Sequence, residues 1–337
     1  AAMVVTSDEA VILAGGAAPV AGKVDPHDPA SWGSFSTSVA RYDVDRRVLD
    51  DLTAPPGTAT LSIGRAFMAA APGADGKAVF AGGYTGSPAL VSNLMAFYDP
   101  VSSTVKQSAA ASPHLRFARA RHTITRLFGQ DDYFMVVGGQ GTTPDAAATW
   151  EIWHPVHGRL AVGKLNGPRW NHGAVRLPDG GGGYVMLVGG ENDAGPIQDF
   201  EVLRYDACLR VGVAGGASAA CKLRPTCTGE GVALQPCAAP AETPVFRAFP
   251  WPPVVQPLAG GVGRTLPAVA YVNNTSPQYH LVFVVGGYLD AEKKHPLTRV
   301  DVFDIETGSW LPQTSPLLTP RGAPMLAWAR AGAERGQ

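Results

Sequence analysis

The chain contains the stretch Phe134-Met135-Val136-Val137-Gly138-Gly139, a short apolar run that ends in two glycines. Four other stretches have the same form and end at Gly15-Gly16, Gly82-Gly83, Gly189-Gly190 and Gly286-Gly287. A short apolar run between turn signals is typical of a strand that is buried on both faces. Because these runs share the glycine pair at the same end, the sequence predicts five copies of one structural unit.

The residues around each glycine pair repeat as well. Four of the pairs follow an arginine, a second apolar segment and a turn, and these arginines are Arg65, Arg119, Arg169 and Arg264. After each pair comes a segment that ends in an aromatic residue and usually an acid, as in Tyr98-Asp99 and Phe303-Asp304. The sequence of each unit therefore predicts a sheet of four short antiparallel strands. Such a sheet cannot bury both of its faces without neighbouring units.

In combination, the glycine pair, the upstream arginine and the aromatic residue of the third strand resemble the kelch family. The resemblance implies an all-β fold, a kelch-type β-propeller of four-stranded antiparallel blades, in which residues 1–337 form a single domain. We count five repeats, and six blades stay open as an alternative because kelch propellers commonly have more than five.

The sequence leaves the closure of the predicted ring open. The segment from Arg321 to Trp328 has the form of a first strand with no second strand after it, so it could complete the blade that contains Gly15. Residues 1–5 also resemble the end of a first strand, so the chain could instead be an excerpt of a longer protein, or the ring could close in another way.

All four cysteines, Cys208, Cys221, Cys227 and Cys237, lie in an Ala/Gly/Pro-rich stretch of the fourth repeat. We interpret residues 207–243 as an insertion, followed by a fourth strand between Val245 and Pro257. The closest pair is wider than the spacing of zinc ligands, so we expect two disulfides and no metal, with three pairings open. Disulfides require an oxidising compartment, which predicts an extracellular, periplasmic or cell-surface location.

Charge and hydropathy exclude some partners. The formal net charge is −1, which gives no general attraction to nucleic acid or anionic lipid. No apolar run is long enough to cross a bilayer as a helix, so we expect no membrane span.

Strand alternation predicts where a partner would bind. Connections between second and third strands share one end of the sheets with the links between successive units, and in kelch relatives this end is a frequent ligand-binding face. We therefore expect exposed aromatic and charged residues there to bind a protein or glycan partner. The candidates are Trp32, His27, Arg116, Trp170, Asn192, Tyr288 and Asp290.

The sequence lacks the motifs of common enzyme classes and predicts no cofactor. Neither a Gly-x-Ser-x-Gly elbow nor a His-Glu-x-x-His motif occurs. The expected function is a non-enzymatic binding or adhesion scaffold. Two alternatives stay open: a sugar-acting enzyme that resembles kelch mutarotases and uses the repeat arginines, and a structural part of a larger extracellular assembly. His122 and His172 occupy matching repeat positions, which favours a structural role.

Overall fold

The computed structural model describes residues 1–20, 31–53, 59–86, 90–107, 113–127, 132–179, 182–206, 256–275, 278–312 and 316–324. Within these ranges the chain is all-β, as predicted, and helical turns are limited to two short 3₁₀ segments, Pro144–Ala146 and Ala259–Gly261.

Within the described ranges the strands form five four-stranded antiparallel sheets, numbered I to V in chain order. Sheet I contains β1 (Ala2–Val5), β2 (Val11–Ala14), β5 (Val39–Asp43) and β6 (Val48–Asp51), with a ribbon of β3 (Ala17–Pro19) and β4 (Trp32–Phe35) between its second and third strands. Sheet II contains β7 (Ala69–Pro72), β8 (Ala78–Ala81), β9 (Met95–Asp99) and β10 (Thr104–Gln107).

Sheet III contains β11 (Thr123–Arg126), β12 (Phe134–Val137), β13 (Thr149–His154) and β14 (Gly158–Lys164). Sheet IV contains β15 (Gly173–Asp179), β16 (Gly182–Val188), β19 (Asp199–Asp206) and β20 (Gln256–Pro257), with a ribbon of β17 (Glu191–Asn192) and β18 (Gly195–Pro196). Sheet V contains β21 (Ala268–Thr275), β22 (Gln278–Val285), β23 (Val300–Asp304) and β24 (Ser309–Trp310).

Successive sheets pack against each other through their first strands. Strand β7 lies between β1 and β11, and β15 lies between β11 and β21. In each sheet the four strands pair in chain order, so the first strand is at one edge and the fourth at the other. This arrangement of stacked sheets is compatible with a β-propeller-like fold.

The second strand of a sheet is buried on both faces, which explains why its sequence is uniformly apolar. In β12, Phe134 and Val136 pack in the core between sheets II and III, whereas Met135 and Val137 pack in the core between sheets III and IV. The period-2 alternation of a strand thus divides four consecutive apolar residues between two interfaces.

The glycine pairs have equivalent surroundings in all five sheets. Both glycines of each pair have positive φ, for example +60° at Gly138 and +99° at Gly139. The second glycine donates its N–H to the carbonyl of an arginine in the segment that follows its own sheet, with N···O distances of 2.7 to 2.9 Å. A β-carbon on the first glycine would collide with that same carbonyl. The five donor and acceptor pairs are Gly16 and Arg65, Gly83 and Arg119, Gly139 and Arg169, Gly190 and Arg264, and Gly287 and Arg321.

The same glycine–arginine hydrogen bond occurs at Arg321, in the segment that the sequence predicts to begin a further first strand. Arg321 contacts the glycine pair of sheet V as the other arginines contact the pairs before them. Residues 325–329 lie outside the described residues, as does the cysteine segment 207–243. The expected first strand of sheet I is present as β1. A fourth strand was expected between Val245 and Pro257, and the described residues of that range include β20.

We predict that Gly138→Ala lowers the free energy of unfolding by about 3 kcal/mol, because alanine is strained at this φ and its methyl group would displace the Arg169 carbonyl. Gly167→Ala is the matched control, since a β-carbon there meets no atom within 4 Å. Urea denaturation of both variants measures the difference. Equal stability of the two variants would show that the close approach at Gly138 is unimportant.

Candidate functional site

The candidate site is the loop face, which we define as the end of the sheets that carries the glycine pairs, the connections from second to third strands and the links from one sheet to the next. Both types of connection meet there because strands alternate in direction. Four repeat arginines begin the links into sheets II to V, and their exposed fractions are 2 % or less. Their guanidinium groups donate to carbonyl groups within their own sheet, mostly to the first glycine of the pair.

A second set of hydrogen bonds joins the links across the loop face. The residue two positions after each repeat arginine has a positive φ: Phe67, Arg121, Asn171 and Leu266. The N–H of Arg121 donates to the Phe67 carbonyl at 3.2 Å, Asn171 to Arg121 at 2.9 Å, and Leu266 to Asn171 at 2.7 Å. Successive sheets are therefore tied together at this face by backbone bonds that do not depend on side-chain identity.

An aromatic cluster lies at one side of the loop face. Trp32, from the ribbon of sheet I, stacks on Phe67 of the next sheet with ring centroids 4.8 Å apart and also contacts Tyr84. The Arg121 guanidinium lies over the Phe67 and Tyr84 rings, at 5.3 and 5.8 Å from their centroids. These contacts connect sheets I, II and III, because each residue comes from a different sheet or link.

A buried charged network lies on sheets IV and V. Glu191 follows a glycine pair, and its carboxylate accepts from Trp170 Nε1 at 3.0 Å and from Asn171 Nδ2 at 2.6 Å. Lys293 extends from the loop of sheet V and donates to both carboxylate oxygens, at 2.8 and 2.9 Å. The side chains of Glu191 and Lys293 are 3 % and 6 % exposed, so this ion pair fixes one loop on its neighbour.

The predicted site residues fall into different surroundings. Trp32 was expected to be exposed, and this is wrong: it is 4 % exposed because the neighbouring link covers its ring. Trp170 is partly exposed and Asn192 lies in the ribbon of sheet IV, where its Oδ1 accepts from the Ala194 N–H at 2.9 Å. Arg116 is exposed, and its backbone N–H donates to Glu151 at 2.6 Å.

Two further predicted residues organise the loop that carries Lys293. Asp290 accepts from the backbone N–H groups of Lys294 and His295, at 2.9 and 2.8 Å. Desolvation raises the pKa of the Asp290 carboxyl, but these hydrogen bonds and the nearby His295 outweigh it, so the pKa lies below its ordinary value. Tyr288 pairs with Thr265 at the base of the loop. The structure thus brings Trp170, Asn192, Tyr288 and Asp290 to one region, while His27 and the four cysteines lie outside the described residues.

The sequence reasoning missed Phe67, Arg121, Glu191 and Lys293. Glu191 carries a usable signal, because it directly follows a glycine pair as Tyr84 and Tyr288 do. Lys293 carries none, since its partner is far away in the chain and its loop has no counterpart of the same length in sheet III.

His122 and His172 are buried between sheets, each against the first glycine of the preceding pair. Burial, together with the nearby arginine charges, lowers the pKa of His172 to about 3 and that of His122 well below its ordinary value. His172 Nε2 is 2.8 Å from the Thr123 hydroxyl, whereas neither ring nitrogen of His122 has a hydrogen-bond partner in the described chain. Both imidazoles are neutral packing groups at neutral pH.

Exposed aliphatic side chains also occur on the loop face. Val20, Leu90 and Leu289 are 37 %, 62 % and 43 % exposed, and each lies in a connection from a second to a third strand. Among the described residues, no group of three or more His, Cys, Asp or Glu side chains could hold a metal ion. No helix in the described ranges has the length and apolar character needed to span a bilayer.

The described chain is thus an all-β protein of stacked four-stranded sheets. On its loop face, the connections that carry Trp32 and Lys293 contact a neighbouring link or sheet. A scan against protein-family models gives no match, and a search of curated proteins gives none either.

We predict that acid destabilises the protein partly through His122. An unfolded histidine binds a proton near pH 6.5, but buried His122 stays neutral, so below pH 6.5 the unfolded state binds more protons and stability falls. His122→Met removes this contribution, and Met68 already fills the equivalent position in sheet II. The free energy of unfolding should therefore fall less between pH 7.5 and pH 5 in the variant than in the wild type. An equal fall of the free energy of unfolding in His122→Met and in the wild type would refute the assignment.

Proposed function

We propose that the chain is a kelch-type β-propeller that acts outside the cytoplasm as a non-enzymatic binding scaffold, with its loop face presented to a protein partner. The observation that carries the proposal is that exposed aliphatic side chains stand on loops whose bases are fixed. Leu289 precedes Asp290, which holds the loop that Lys293 anchors on Glu191. The Leu90 carbonyl accepts from the Thr85 N–H at 2.7 Å, beside the bridge between Tyr84 and Val91. A pre-ordered apolar surface loses little conformational entropy when a partner binds.

The surroundings of the aromatic residues favour a protein over a glycan. Sugar-binding surfaces need accessible aromatic faces, but Trp32 is covered and the Trp170 indole donates to Glu191. Aliphatic side chains such as Leu90 are more typical of protein contact. A glycan partner is therefore the alternative outcome of the binding experiment.

The position of the repeat arginines does not favour the enzymatic alternative. A mutarotase-like site needs repeat arginines that reach a ligand, yet Arg65, Arg119, Arg169 and Arg264 are buried and donate to carbonyls of their own sheets. Their geometry favours a role in holding each sheet together. An assay for anomer exchange on reducing sugars should accordingly show no rate above that of buffer.

The binding experiment compares the two ends of the sheets. Leu90→Asp/Leu289→Asp places two charges on the loop face, whereas Val101→Asp/Val156→Asp places two on the opposite end, where these valines are 93 % and 71 % exposed. Partners are captured from surface and secreted proteins of the source cells and from a glycan array, then measured by surface plasmon resonance. We expect the first variant to weaken binding at least about tenfold, because charge is poorly tolerated in an apolar contact. Equal affinity of both variants would reject the loop face as the binding surface.

The proposed location rests on the cysteines, and it has its own test. If Cys208, Cys221, Cys227 and Cys237 form two disulfides, thiol titration of the denatured, unreduced protein detects no free thiol, and reduction releases four. Free thiols at all four positions would argue for a reducing compartment and against an extracellular scaffold. The result does not depend on whether a partner is found.

A further inference from the structure

Three of the repeat arginines pair with an acid at one fixed position of the third strand. The acid lies opposite the residue two positions before the glycine pair: Glu151 opposite Val136, Glu201 opposite Leu187 and Asp301 opposite Val284. In each pair the Nη2 atom of the arginine donates to the carboxylate, at 2.6 Å in Arg119–Glu151 and 3.4 Å in Arg169–Glu201. Arg264 and Asp301 form the third pair.

Sheet II breaks this rule. Its arginine is Arg65, and the residue opposite Phe80, which should be the acid, is Ala96. Arg65 keeps the other contacts of its equivalents, since Nη1 donates to the Gly82 and Leu94 carbonyls at 3.0 and 2.9 Å. Its Nη2, the atom that binds a carboxylate in sheets III to V, has no hydrogen-bond partner in the described chain, and the side chain is fully buried.

Arg65 is thus a buried cation whose usual counter-charge is missing. Burial without an acidic partner lowers the pKa of its guanidinium to about 10, which still leaves it charged at neutral pH. An isolated buried charge is costly, and the cost falls when an opposite charge binds. Alanine ends at its β-carbon, so residue 96 does not fill the position that the Glu151 carboxylate takes in sheet III.

We propose that Arg65 Nη2 binds a small inorganic anion of the size of chloride, in the position that a carboxylate occupies in sheets III to V. The protein then carries an anion site that stabilises sheet II and is independent of partner binding at the loop face. The fully buried guanidinium favours a small ion over an acidic side chain of a partner.

The first test is the chloride dependence of thermal stability at constant ionic strength, with gluconate replaced stepwise by chloride. A ligand that binds only the folded state raises the melting temperature, here by roughly 2 °C for each tenfold increase of chloride above the dissociation constant. Ala96→Glu supplies the missing carboxylate and should remove the dependence, with a melting temperature in gluconate at or above that of the wild type in chloride.

Ala40→Glu is the matched control, because Ala40 lies opposite Leu13 at the same position of sheet I. This variant should keep the chloride dependence of the wild type, which shows that the loss in Ala96→Glu comes from a carboxylate placed beside Arg65 and not from an added negative charge in general. A wild-type melting temperature that does not change with chloride, or an equal dependence in Ala96→Glu, would overturn the proposal.

A second test locates the anion directly and uses only the wild-type protein. Crystals of the wild-type protein grown or soaked in sodium bromide should give an anomalous difference peak within about 3.5 Å of Arg65 Nη2, since bromide occupies chloride sites. The absence of such a peak at high bromide occupancy elsewhere in the crystal would contradict the assignment.

Discussion

In sheets I to IV, the hydrogen bond from the second glycine of the pair to the arginine carbonyl in the link to the next sheet sets the distance between neighbouring sheets. Both partners are backbone groups, so the approach must be close, and a β-carbon on the first glycine would prevent it. Positive φ at both glycines turns the chain sharply away from the second strand. The repeated glycine pair is therefore a requirement for stacking and not merely a turn signal.

Packing and charge follow from this spacing. Once the sheets are close, a second strand such as β12 is covered on both faces, which requires apolar residues throughout. The same approach buries the repeat arginines, which then need carbonyl and carboxylate partners within their own sheet. Sheet II, with Ala96 in place of an acid, shows how one substitution in a repeat changes the electrostatics of one unit while its fold is kept.

Much of the fold could be predicted from the sequence because repetition reinforces weak local signals. A single run such as Val136-Val137-Gly138-Gly139 has little specificity, but five runs with the same flanks identify the second strands. Exposure was harder to predict, as Trp32 shows, because its burial depends on Phe67 from another sheet. The Glu191–Lys293 pair joins residues of two different loops, and no periodic pattern brings such partners together.

Amide hydrogen exchange at the glycine pairs tests the central claim most directly. If the second glycine of each pair bonds across neighbouring sheets, the N–H groups of Gly83, Gly139 and Gly190 exchange as slowly as those of the buried second strands, far more slowly than the N–H of Gly167 in a link. Fast exchange at these three glycines, at the rate of Gly167, would contradict the account, because the sheets would then not be held together by this bond.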